Sequence, residues 1–299
     1  MEKNDMKKDL SIIIVTYNSE DTITGCVNSI YETVDKHLFE IIVSDNSTND
    51  RTETKIKEEL GGKVTYIHNA ENYGFSRGNN IGIKKAFGKY VLFLNPDTVV
   101  HANTIDFMIE FMEKHEGAGA ATCNVLLPNG EPDDSSHRGF PTPWNALSHF
   151  SGLSKLFPKT RLFGGYNMSY LTLDSVHEID SLAGSFMIVP FKLGEELGWW
   201  DEDYFFYGED IDFCYRLKEK GYKIYFVPNV TALHLKGISS GIKKVSKNFT
   251  KASNDTKKFA TYHRFKAMEI FYNKHYKGKY SPLVTSLVML GIKAKRLLA

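Results

Sequence analysis

A stretch of aromatic and acidic residues two thirds of the way along the chain has the composition of a catalytic cleft. It runs from Trp199 to Asp212 and reads WWDEDYFFYGEDID. Acids are common at helix starts because they interact favourably with the helix dipole. An interaction with the helix dipole does not require so many aromatic neighbours. A general base does require a carboxylate in a largely apolar cleft. We expect a general base here, with Trp199, Trp200 and Glu209 contacting the substrate that loses the proton.

A second candidate site is Asn95-Pro96-Asp97, which follows the apolar run YVLFL. Amide and carboxylate oxygens on either side of a rigid proline suit Mg²⁺ or Mn²⁺ bridging a diphosphate, because hard cations prefer oxygen ligands. A proline turn that ends a strand is an equally simple explanation. His234, in the run TALHL, is expected to be structural unless a metal site nearby needs a nitrogen ligand.

Polar residues also follow the other predicted strands, at the position where open α/β sheets bind their ligands. Thr16, Tyr17 and Asn18 follow the first strand, and Asp45 follows the second. An acid at that second position can accept the N3–H of uracil or thymine, whereas an Asx turn would use the same residue to shape a loop. These residues are candidates for a nucleotide pocket.

The segment NYGFSRGNN, residues 72–80, combines two glycines, one arginine and paired asparagines at the start of a predicted helix. Helix N-termini and arginine both favour phosphate groups or the polar edge of a nucleotide. Arg77 and Asn80 are therefore further candidates for nucleotide binding. A capped surface helix is the alternative.

Alternating strands and helices must position these residues. Runs rich in β-branched and aromatic residues predict buried parallel strands. Apolar residues at helical spacing between them predict helices, the first of which begins after a capping Ser19. The strands are expected at 10–16, 39–44, 63–68 and 90–95, and the later helices at 51–60, 76–87 and 103–115. This alternation indicates a doubly wound α/β unit up to about residue 125.

The second half of the chain is less regular. Proline, glycine and polar clusters over 128–178 sustain neither a helical nor a strand period, so we expect a long loop over the site there. The elements predicted after it are a strand at 179–190, a short helix from Lys192, a helix at 209–220, a strand at 222–228 and helical structure over 256–299.

Composition narrows the class of protein. The chain has 299 residues, of which 42% are hydrophobic, so a large core is available and disorder is not expected. The charged N-terminus and the short apolar run after it predict neither a signal peptide nor a membrane span, so we expect a cytoplasmic protein. Cys26, Cys123 and Cys214 are far apart in sequence and are expected to be reduced and buried.

Charge is distributed unevenly although the net charge is only +1. Residues 236–299 carry fifteen Lys and Arg against two acids, whereas residues 1–235 carry twenty-two against thirty-four. This basic tail indicates an anionic partner, either a membrane or a nucleic acid, or simply a solvated surface. Residues 261–299 mix basic, aromatic and aliphatic side chains as interfacial helices do. Packing on the rest of the chain, or on a second subunit of a homo-oligomer, is the alternative.

Six motifs occur in a fixed order along the chain. They read VTYNSEDT, VSDNST, NYGFSRGNNIGI, FLNPDT, DEDYFFYGEDIDFCYRL and GYKIYFVPNVTALHLKG. As a set they resemble the inverting glycosyltransferase family 2, and most of all its bacterial rhamnosyltransferase branch. The resemblance covers roughly residues 10–240 and implies the GT-A fold, an α/β fold around one mixed sheet.

The implied fold also gives a domain organisation. A Rossmann-like half over 10–125 would bind the nucleotide sugar, and a half over 126–240 would bind the acceptor. The GT-A domain would span 1–255, followed by a basic helical extension over 256–299.

The resemblance also implies roles for individual residues. Asp210, in Gly-Glu-Asp, takes the position of the catalytic base, and Asp97 and His234 take those of ligands to Mg²⁺ or Mn²⁺. Asn95 stands where the family usually has an aspartate, so it suits a ribose hydroxyl and leaves Asp97 as the main carboxylate ligand. The residues expected to bind the nucleotide sugar are Thr16, Tyr17, Asn18, Asp45, Arg77, Asn80 and Asn95.

The resemblance implies transfer of one sugar, with inversion, from a nucleotide-sugar donor to a glycan or lipid-linked acceptor of cell-surface polysaccharide synthesis. The favoured donor is dTDP-rhamnose, and a UDP- or dTDP-hexose is the alternative. The chain lacks the Gln-x-x-Arg-Trp motif of processive synthases, so one sugar per encounter is expected. In this setting the basic tail is expected to hold the enzyme on the inner face of the cell membrane, and nucleic acid is not an expected partner.

Two other classes of protein remain as alternatives. A sugar nucleotidyltransferase also binds a nucleotide on an α/β sheet with acid-bound Mg²⁺. That class has a glycine-rich basic loop after the first strand, and this sequence has none there. A scaffold protein that keeps the fold without turnover should have lost Asp97, Asp210 and His234, and all three are present.

Overall fold

The computed structural model describes residues 8–235 and 254–298, with side chains in the second range from residue 257. The strands are β1 (Lys8–Thr16), β2 (Phe39–Asp45), β3 (Thr65–His68), β4 (Gly88–Leu94), β5 (Thr98–Val100), β6 (Ala118–Leu126), β7 (His177–Ile179), β8 (Phe186–Pro190) and β9 (Lys223–His234). The helices are α1 (Ile23–Thr33), α2 (Arg51–Glu59), α3 (Gly74–Ile83), α4 (Thr104–Lys114), α5 (Pro143–Ser151), α6 (Leu153–Leu156), α7 (Phe191–Leu197), α8 (Glu209–Glu219), α9 (Asn254–Phe271) and α10 (Pro282–Leu297).

The strands form one mixed sheet, as predicted. Its order is β3-β2-β1-β4-β8-β6-β9-β5, and β7 pairs with the first part of β9. β3, β2, β1 and β4 are parallel to one another, whereas β8 is antiparallel to both β4 and β6. β8 therefore joins a parallel first half to a mixed second half.

The parallel half is buried on both faces of the sheet. Side chains alternate along a strand, so Ile12 and Ile14 of β1 join one apolar cluster, together with Val27 of α1, while Ile13 joins the cluster on the other face. All four are fully buried. Each aliphatic side chain buried in this way contributes about 1.5–3 kcal/mol to folding. This burial explains why β1 is an almost continuous apolar run.

The first helix begins later than predicted. α1 starts at Ile23, and the N–H groups of Thr22 and Ile23 both donate to the carbonyl of Ser19. The Ser19 hydroxyl does not cap α1; it accepts the N–H of Tyr17 at 3.2 Å. Ser19 therefore shapes the loop after β1, and its prediction as the helix cap was wrong.

The segment 128–178 contains more regular structure than predicted. The Thr142 hydroxyl accepts the N–H of Asn145, and Pro143 occupies the first turn, so α5 begins there. Gly152, with φ of +85°, ends α5 in the left-handed conformation that glycine adopts most easily. These start and stop signals are local and were present in the sequence.

Two predicted strands have different limits in the structure. The strand expected at 179–190 is divided into β7 and β8, and the carbonyls of Leu182 and Ser185 between them accept hydrogen bonds from Arg138 and Asn95. The strand expected to end at residue 228 continues to His234 after a shift in its register with β6. The extension pairs His234 with Thr98 of β5.

The C-terminal helices pack against α8. α9 continues into a π-helical turn, Tyr272–Tyr276, which precedes α10. Aromatic residues from this part of the chain and from the region of α8 form a third apolar cluster. Its buried members are Tyr204, Tyr215, Ala267, Phe271, Tyr272 and Tyr276. Part of the basic tail is thus a packed element of the domain.

Two expectations about the tail concern its boundaries and its relation to a membrane. Residue 240, where the acceptor half was expected to end, lies outside the described residues. Of the helices in the described ranges, none combines the length and the apolar character needed to cross a bilayer.

Candidate active site

Asp45, the predicted base-recognising acid, ends β2 and is completely buried. Its Oδ1 accepts hydrogen bonds from the Thr16 hydroxyl at 2.7 Å and from the N–H and hydroxyl of Ser47 at 3.0 and 2.6 Å. Its Oδ2 accepts one from the Tyr66 hydroxyl at 2.8 Å. Burial and the contact with Asp45 raise the pKa of Tyr66, which remains a donor. Oδ2 accepts one hydrogen bond and keeps a second lone pair, but Asp45 has no exposed surface, so a ligand donor reaches it only if the covering side chains move.

The loop after β1 is tied to the loop after β2. Asn18 has a φ of +51°, and its N–H donates to the Ser47 hydroxyl at 2.8 Å. The Tyr17 side chain beside it is 44% exposed. Tyr17 is therefore accessible to a ligand above the strand ends, as a nucleotide-pocket residue must be.

The two candidates on α3 lie in different surroundings. The guanidinium of Arg77 is exposed and stacks 3.9 Å from the centre of the Tyr73 ring. The Asn80 amide donates to the carbonyl of Trp200 and to Glu202 Oε1, both at 2.9 Å, and accepts the N–H of Trp200 at 3.2 Å. Arg77 is accessible to a ligand, whereas Asn80 holds the loop that contains Trp200 and Glu202 against α3. Nucleotide binding by either residue stays a prediction.

The predicted metal residues meet where β4 and β9 end. His234 Nε2 lies 3.2 Å from Asp97 Oδ1 and 3.2 Å from Asn95 Nδ2. On the other side of the ring, Nδ1 lies 3.4 Å from Oδ2 of Asp133. Asp97, Asp133 and His234 are all buried. We call these four residues the strand-end cluster.

The charge of His234 depends on its two carboxylate neighbours. Burial by itself would lower the pKa of the imidazole, but Asp97 and Asp133 outweigh burial and raise it to about 9. A protonated His234 between two carboxylates is therefore the neutral-pH state when no metal is bound.

The donor atoms of the strand-end cluster fit a divalent cation. Neighbouring ligands of an octahedral Mg²⁺ with bonds of about 2.1 Å lie about 3 Å apart, and Asp97 Oδ1 lies 3.2 Å from His234 Nε2. Asp133 on the other ring nitrogen supplies the carboxylate contact that orients metal-binding histidines. Within the described residues, no three His, Cys, Asp or Glu side chains converge to hold a metal unaided. A metal here would need further oxygen ligands from a substrate or from water.

A second acidic group surrounds the start of α8. Gly208 precedes the helix with a φ of +86°, and a Cβ at this position would lie only 3.0 Å from the Ala267 side chain, so glycine is strongly favoured. Asp210 Oδ2 lies 2.8 Å from Nη2 of Arg138, and both side chains are largely buried. Burial opposes the charge on Arg138, but Asp210 raises its pKa above the usual range. This pair is a buried ion pair with a permanent cation.

Glu209 is buried beside this ion pair. Among the described residues its Oε2 has no hydrogen-bond partner. Burial, and then the charge of Asp210, raise the pKa of Glu209 well above the usual range. We call Arg138, Glu209 and Asp210 the helix-start cluster.

Two stretches of backbone connect the clusters. Asp133 belongs to the strand-end cluster and Arg138 to the helix-start cluster. The backbone between these two residues spans at most about 17 Å. The carbonyl of Leu182 accepts from Arg138 Nη2, and that of Ser185 accepts the N–H of Asn95, each at 3.3 Å. These two carbonyls are at most about 10 Å apart along the chain. The two clusters are therefore linked by short stretches of backbone, and a shared site between them stays a prediction.

Comparison with known proteins gives the family. The sequence profile of "Glycosyl transferase family 2" matches residues 11–172. The chain is 30% identical to the rhamnosyltransferase WbbL of Escherichia coli (strain K12) over 232 residues, which is 75% of this chain and 82% of that protein. This chain belongs to glycosyltransferase family 2. It is also 29% identical to the low-salt glycan biosynthesis hexosyltransferase Agl10 of Haloferax volcanii, over 77% of this chain and 68% of that protein.

Solved structures agree on the fold of this glycosyltransferase. It resembles the crystal structure of GalNAc-T7 with UDP, GalNAc and Mn²⁺, with a TM-score of 0.58 and 17% identity over 90% of this chain and 58% of that one. At this identity the likeness concerns the fold alone. The predicted GT-A fold is confirmed, with one mixed sheet and C-terminal helices.

Two residues of the glycosyltransferase that were predicted to contact the acceptor lie in the core. Trp200 is 2% exposed, with its ring edge-on to Phe93 at a centroid distance of 4.7 Å. Trp199 is 9% exposed and packs against Phe93 and Phe191. Both indoles belong to the core because the aromatic loop folds onto β4 and α7 and not over the site.

Two site residues of the glycosyltransferase were missed in the sequence. Asp133 lies in a polar turn, where its Oδ1 accepts the N–H of Ser135 at 2.9 Å. The only signal for Asp133 in the sequence was this Asx-turn pattern. Arg138 is the one basic residue between 128 and 154, which is a weak signal for an ion pair. Neither signal indicates the partner, His234 or Asp210.

Proposed function

We propose that this glycosyltransferase moves one sugar from a nucleotide-sugar donor to an acceptor hydroxyl with inversion, using Asp210 as the general base. The observation that carries the proposal is the largely buried Asp210–Arg138 pair at 2.8 Å, which residues 133–138 link to the strand-end cluster. A single carboxylate base and a separate site for the leaving diphosphate are the two components that inverting transfer needs.

The reaction follows from these positions. Asp210 accepts the proton of the acceptor hydroxyl as the acceptor oxygen bonds to the anomeric carbon. The bond from that carbon to the diphosphate oxygen breaks, and its electron pair leaves with the nucleoside diphosphate. Attack opposite the leaving group inverts the configuration, so no nucleophile on the enzyme is required.

Asp97 and His234 are the residues that would hold Mg²⁺ or Mn²⁺. When bound, such a cation stabilises the charge that develops on the leaving diphosphate. Asp133 orients His234 through Nδ1, and Asn95 is available to a ribose hydroxyl or a phosphate oxygen. GalNAc-T7, which shares the fold, has Mn²⁺ in its crystal structure. Activity of the wild-type enzyme that survives EDTA in full would overturn this part of the proposal.

The base of the donor is expected to bind at Asp45. Oδ2 would accept the N3–H of thymine or uracil beside the Tyr66 hydroxyl once the side chains that cover the buried Asp45 move, and Tyr17 is accessible at the same strand ends. Both bases present the same N3–H, so Asp45 does not distinguish them. Thr16, Asn18 and Arg77 complete the proposed nucleotide pocket.

We favour dTDP-rhamnose as the donor because the named relative WbbL is a rhamnosyltransferase. The relative Agl10 is a hexosyltransferase, which supports a UDP- or dTDP-hexose as the second candidate. A panel of nucleotide sugars, scored by release of nucleoside diphosphate, tests the donor directly. Competition calorimetry with dTDP and UDP separates the bases, and tighter binding of UDP would contradict the rhamnose proposal.

The acceptor in this proposal is a glycan or a lipid-linked saccharide of cell-surface polysaccharide synthesis. The enzyme would then act at the inner face of the cell membrane, as expected from its basic tail. Transfer to lipid-linked and to free saccharides, measured side by side, tests the class of acceptor. A marked preference for free saccharides would contradict it.

A further inference from the structure

The acceptor half carries a cluster of exposed apolar side chains around α5 and α6. Three of them lie at three-residue spacing on one side of α5. Their side chains are between 41% and 72% exposed. The residues are Trp144, Leu147, Phe150, Leu156, Phe157 and Leu162. Isolated exposed apolar residues are ordinary, but a contiguous group of this size marks an interaction surface.

α10 carries a second exposed apolar stripe. Leu283, Leu287, Leu290 and Leu297 recur at helical spacing on its outer side and are between 60% and 88% exposed. The inner side packs through Val288 and its neighbours on the aromatic cluster of α9. Within the described residues, α10 has no buried side chain. The leucine stripe is therefore uncovered while the helix itself is held in place.

The two apolar groups belong to one surface. Lys295 Nζ of α10 lies 5.1 Å from the centre of the Phe150 ring on α5. Next to it, the Arg296 guanidinium lies 5.0 Å from the Tyr262 ring of α9. Burial lowers the pKa of His149 on α5, the nearby charges of α9, α6 and α10 lower it further, and the carboxylate of Asp134 opposes them. We call the exposed side chains of 144–162 and of α10 the α5–α10 face.

The α5–α10 face is predominantly basic. The sequence contains no Asp or Glu between residues 135 and 173, and none after Glu269. Its exposed cations are Lys155, Lys159, Arg161, Lys293, Lys295 and Arg296. Apolar side chains interspersed with these cations, with Asp134 as the one acid that acts on His149 of α5, match the interface of an anionic bilayer.

We propose that the α5–α10 face docks on an anionic membrane, with its apolar side chains in the interfacial layer and its cations on lipid headgroups. A second copy of the chain is a poorer occupant, because self-pairing would bring two sets of six exposed cations together with only Asp134 of each copy near to offset them. Clustered cations of this kind attract an anionic leaflet, and their effect falls within a Debye length.

Docking of this face would orient the active site. α5 begins at Pro143, and the chain from Arg138 of the helix-start cluster to that residue spans at most about 17 Å. The acceptor side of the site would therefore lie close to the lipid surface, where a saccharide attached to a lipid presents its hydroxyl groups. Only this last step rests on the proposed function.

Vesicle co-sedimentation of the full-length protein tests the docking. Phosphatidylcholine vesicles that contain phosphatidylglycerol should bind the protein at low salt, whereas phosphatidylcholine alone should not. Leu147→Asp on α5 and Leu287→Asp on α10 should each weaken binding about tenfold, because each removes one leucine from the interface. Leu38→Asp is the matched control, since Leu38 is similarly exposed but precedes β2 in the parallel half of the sheet and does not belong to the α5–α10 face.

Each outcome bears on a different part of the inference. If Leu287→Asp abolishes binding and Leu147→Asp does not change it, the combined face is wrong and the tail binds alone. If the wild type ignores anionic vesicles and Leu287→Asp converts a dimer to a monomer in light scattering, the face joins two copies and the inference is overturned. If vesicle binding occurs as expected but no nucleotide sugar is turned over, the proposed function fails while the docking surface stands.

Discussion

The two acidic clusters of the site are balanced by different cations. In the strand-end cluster, Asp97 and Asp133 flank His234, whose pKa is raised to about 9. In the helix-start cluster, Asp210 pairs with Arg138 at 2.8 Å. An imidazolium can lose its proton and become a metal ligand, whereas a guanidinium keeps its charge in proteins.

This difference separates the chemistry that each cluster can support. Metal binding displaces protons from its ligands, so in the proposed function the strand-end cluster would exchange the proton on His234 for a divalent cation. The helix-start cluster keeps its cation, and Asp210 remains a paired carboxylate that can accept a proton from a substrate. Acidic residues of similar burial therefore suit different tasks because of the group that neutralises them.

The largest expected effect comes from Asp210→Asn. Transfer should fall by about 10²-fold or more, because the general base is lost, while calorimetric donor binding stays nearly unchanged. Asp203→Asn makes the same chemical change at an exposed position of the preceding loop and should keep wild-type activity. An Asp210→Asn enzyme that retains more than about a tenth of the wild-type rate would exclude Asp210 as the base.

Substitutions in the strand-end cluster should instead weaken binding of the donor and of the metal. Asp97→Ala and His234→Ala should weaken Mn²⁺-dependent donor binding, and Asp133→Asn should weaken Mn²⁺ affinity by about 10–100-fold through the orientation of His234. Calorimetry with and without EDTA measures both quantities. Asp134→Asn, at the exposed neighbouring position, is the control. If Asp133→Asn binds Mn²⁺ as the wild type does, the contact with His234 does not orient a ligand.

Glu209 provides a pH-dependent test of the helix-start cluster. Its pKa in the folded protein is raised by burial and by Asp210, whereas its pKa in the unfolded chain is about 4.3. As the pH rises above that value, the unfolded state gives up this proton first, so the contribution of Glu209 to stability falls until the higher folded pKa is passed. Glu209→Gln should therefore be more stable than the wild type at alkaline pH and equal to it near pH 4.

Thermal unfolding across pH measures this difference. Each kcal/mol gained by Glu209→Gln should raise Tm by about 2 °C in a domain of this size. Glu116→Gln, at an exposed position, should follow the wild-type profile. Parallel profiles for Glu209→Gln and the wild type would mean that Glu209 ionises normally in the folded protein.

The smallest effect is expected from the packing of the tail on α8. His275 Nε2 lies 2.7 Å from Oδ1 of Asp212, which is completely buried and also accepts from Arg216 Nε at 2.7 Å. His275→Ala removes one of these partners and should destabilise the protein by about 1–3 kcal/mol. We expect only a few-fold loss of kcat, with recovery in His275→Gln. Unchanged stability would show that the tail does not support α8, and Lys277→Ala is the exposed control.

Strands β1 to β4 and helices α1 to α4 could be predicted from local sequence, whereas the short strand β5 was not expected. The run around Ile12 to Ile14 is apolar because both faces of β1 are covered, and this pattern is contained in a few adjacent residues. The extension of β9 to His234 could not be predicted, because Pro228 and Asn229 have the composition of a strand end. Pairing with β5 and β6 continues the strand beyond them, and those partners are distant in sequence.

The sequence by itself selected Asp97, Asp210 and His234 as candidates, because their motifs place polar residues after apolar strands and at a helix start. Only the tertiary structure supplied their partners. Asp133 lies 101 positions from His234, and Arg138 lies 72 positions from Asp210. The burial of Trp200 likewise depends on Phe93, far away in sequence. Turn chemistry and periodicity act within a few residues, whereas charge compensation and burial depend on which distant segments the sheet brings together.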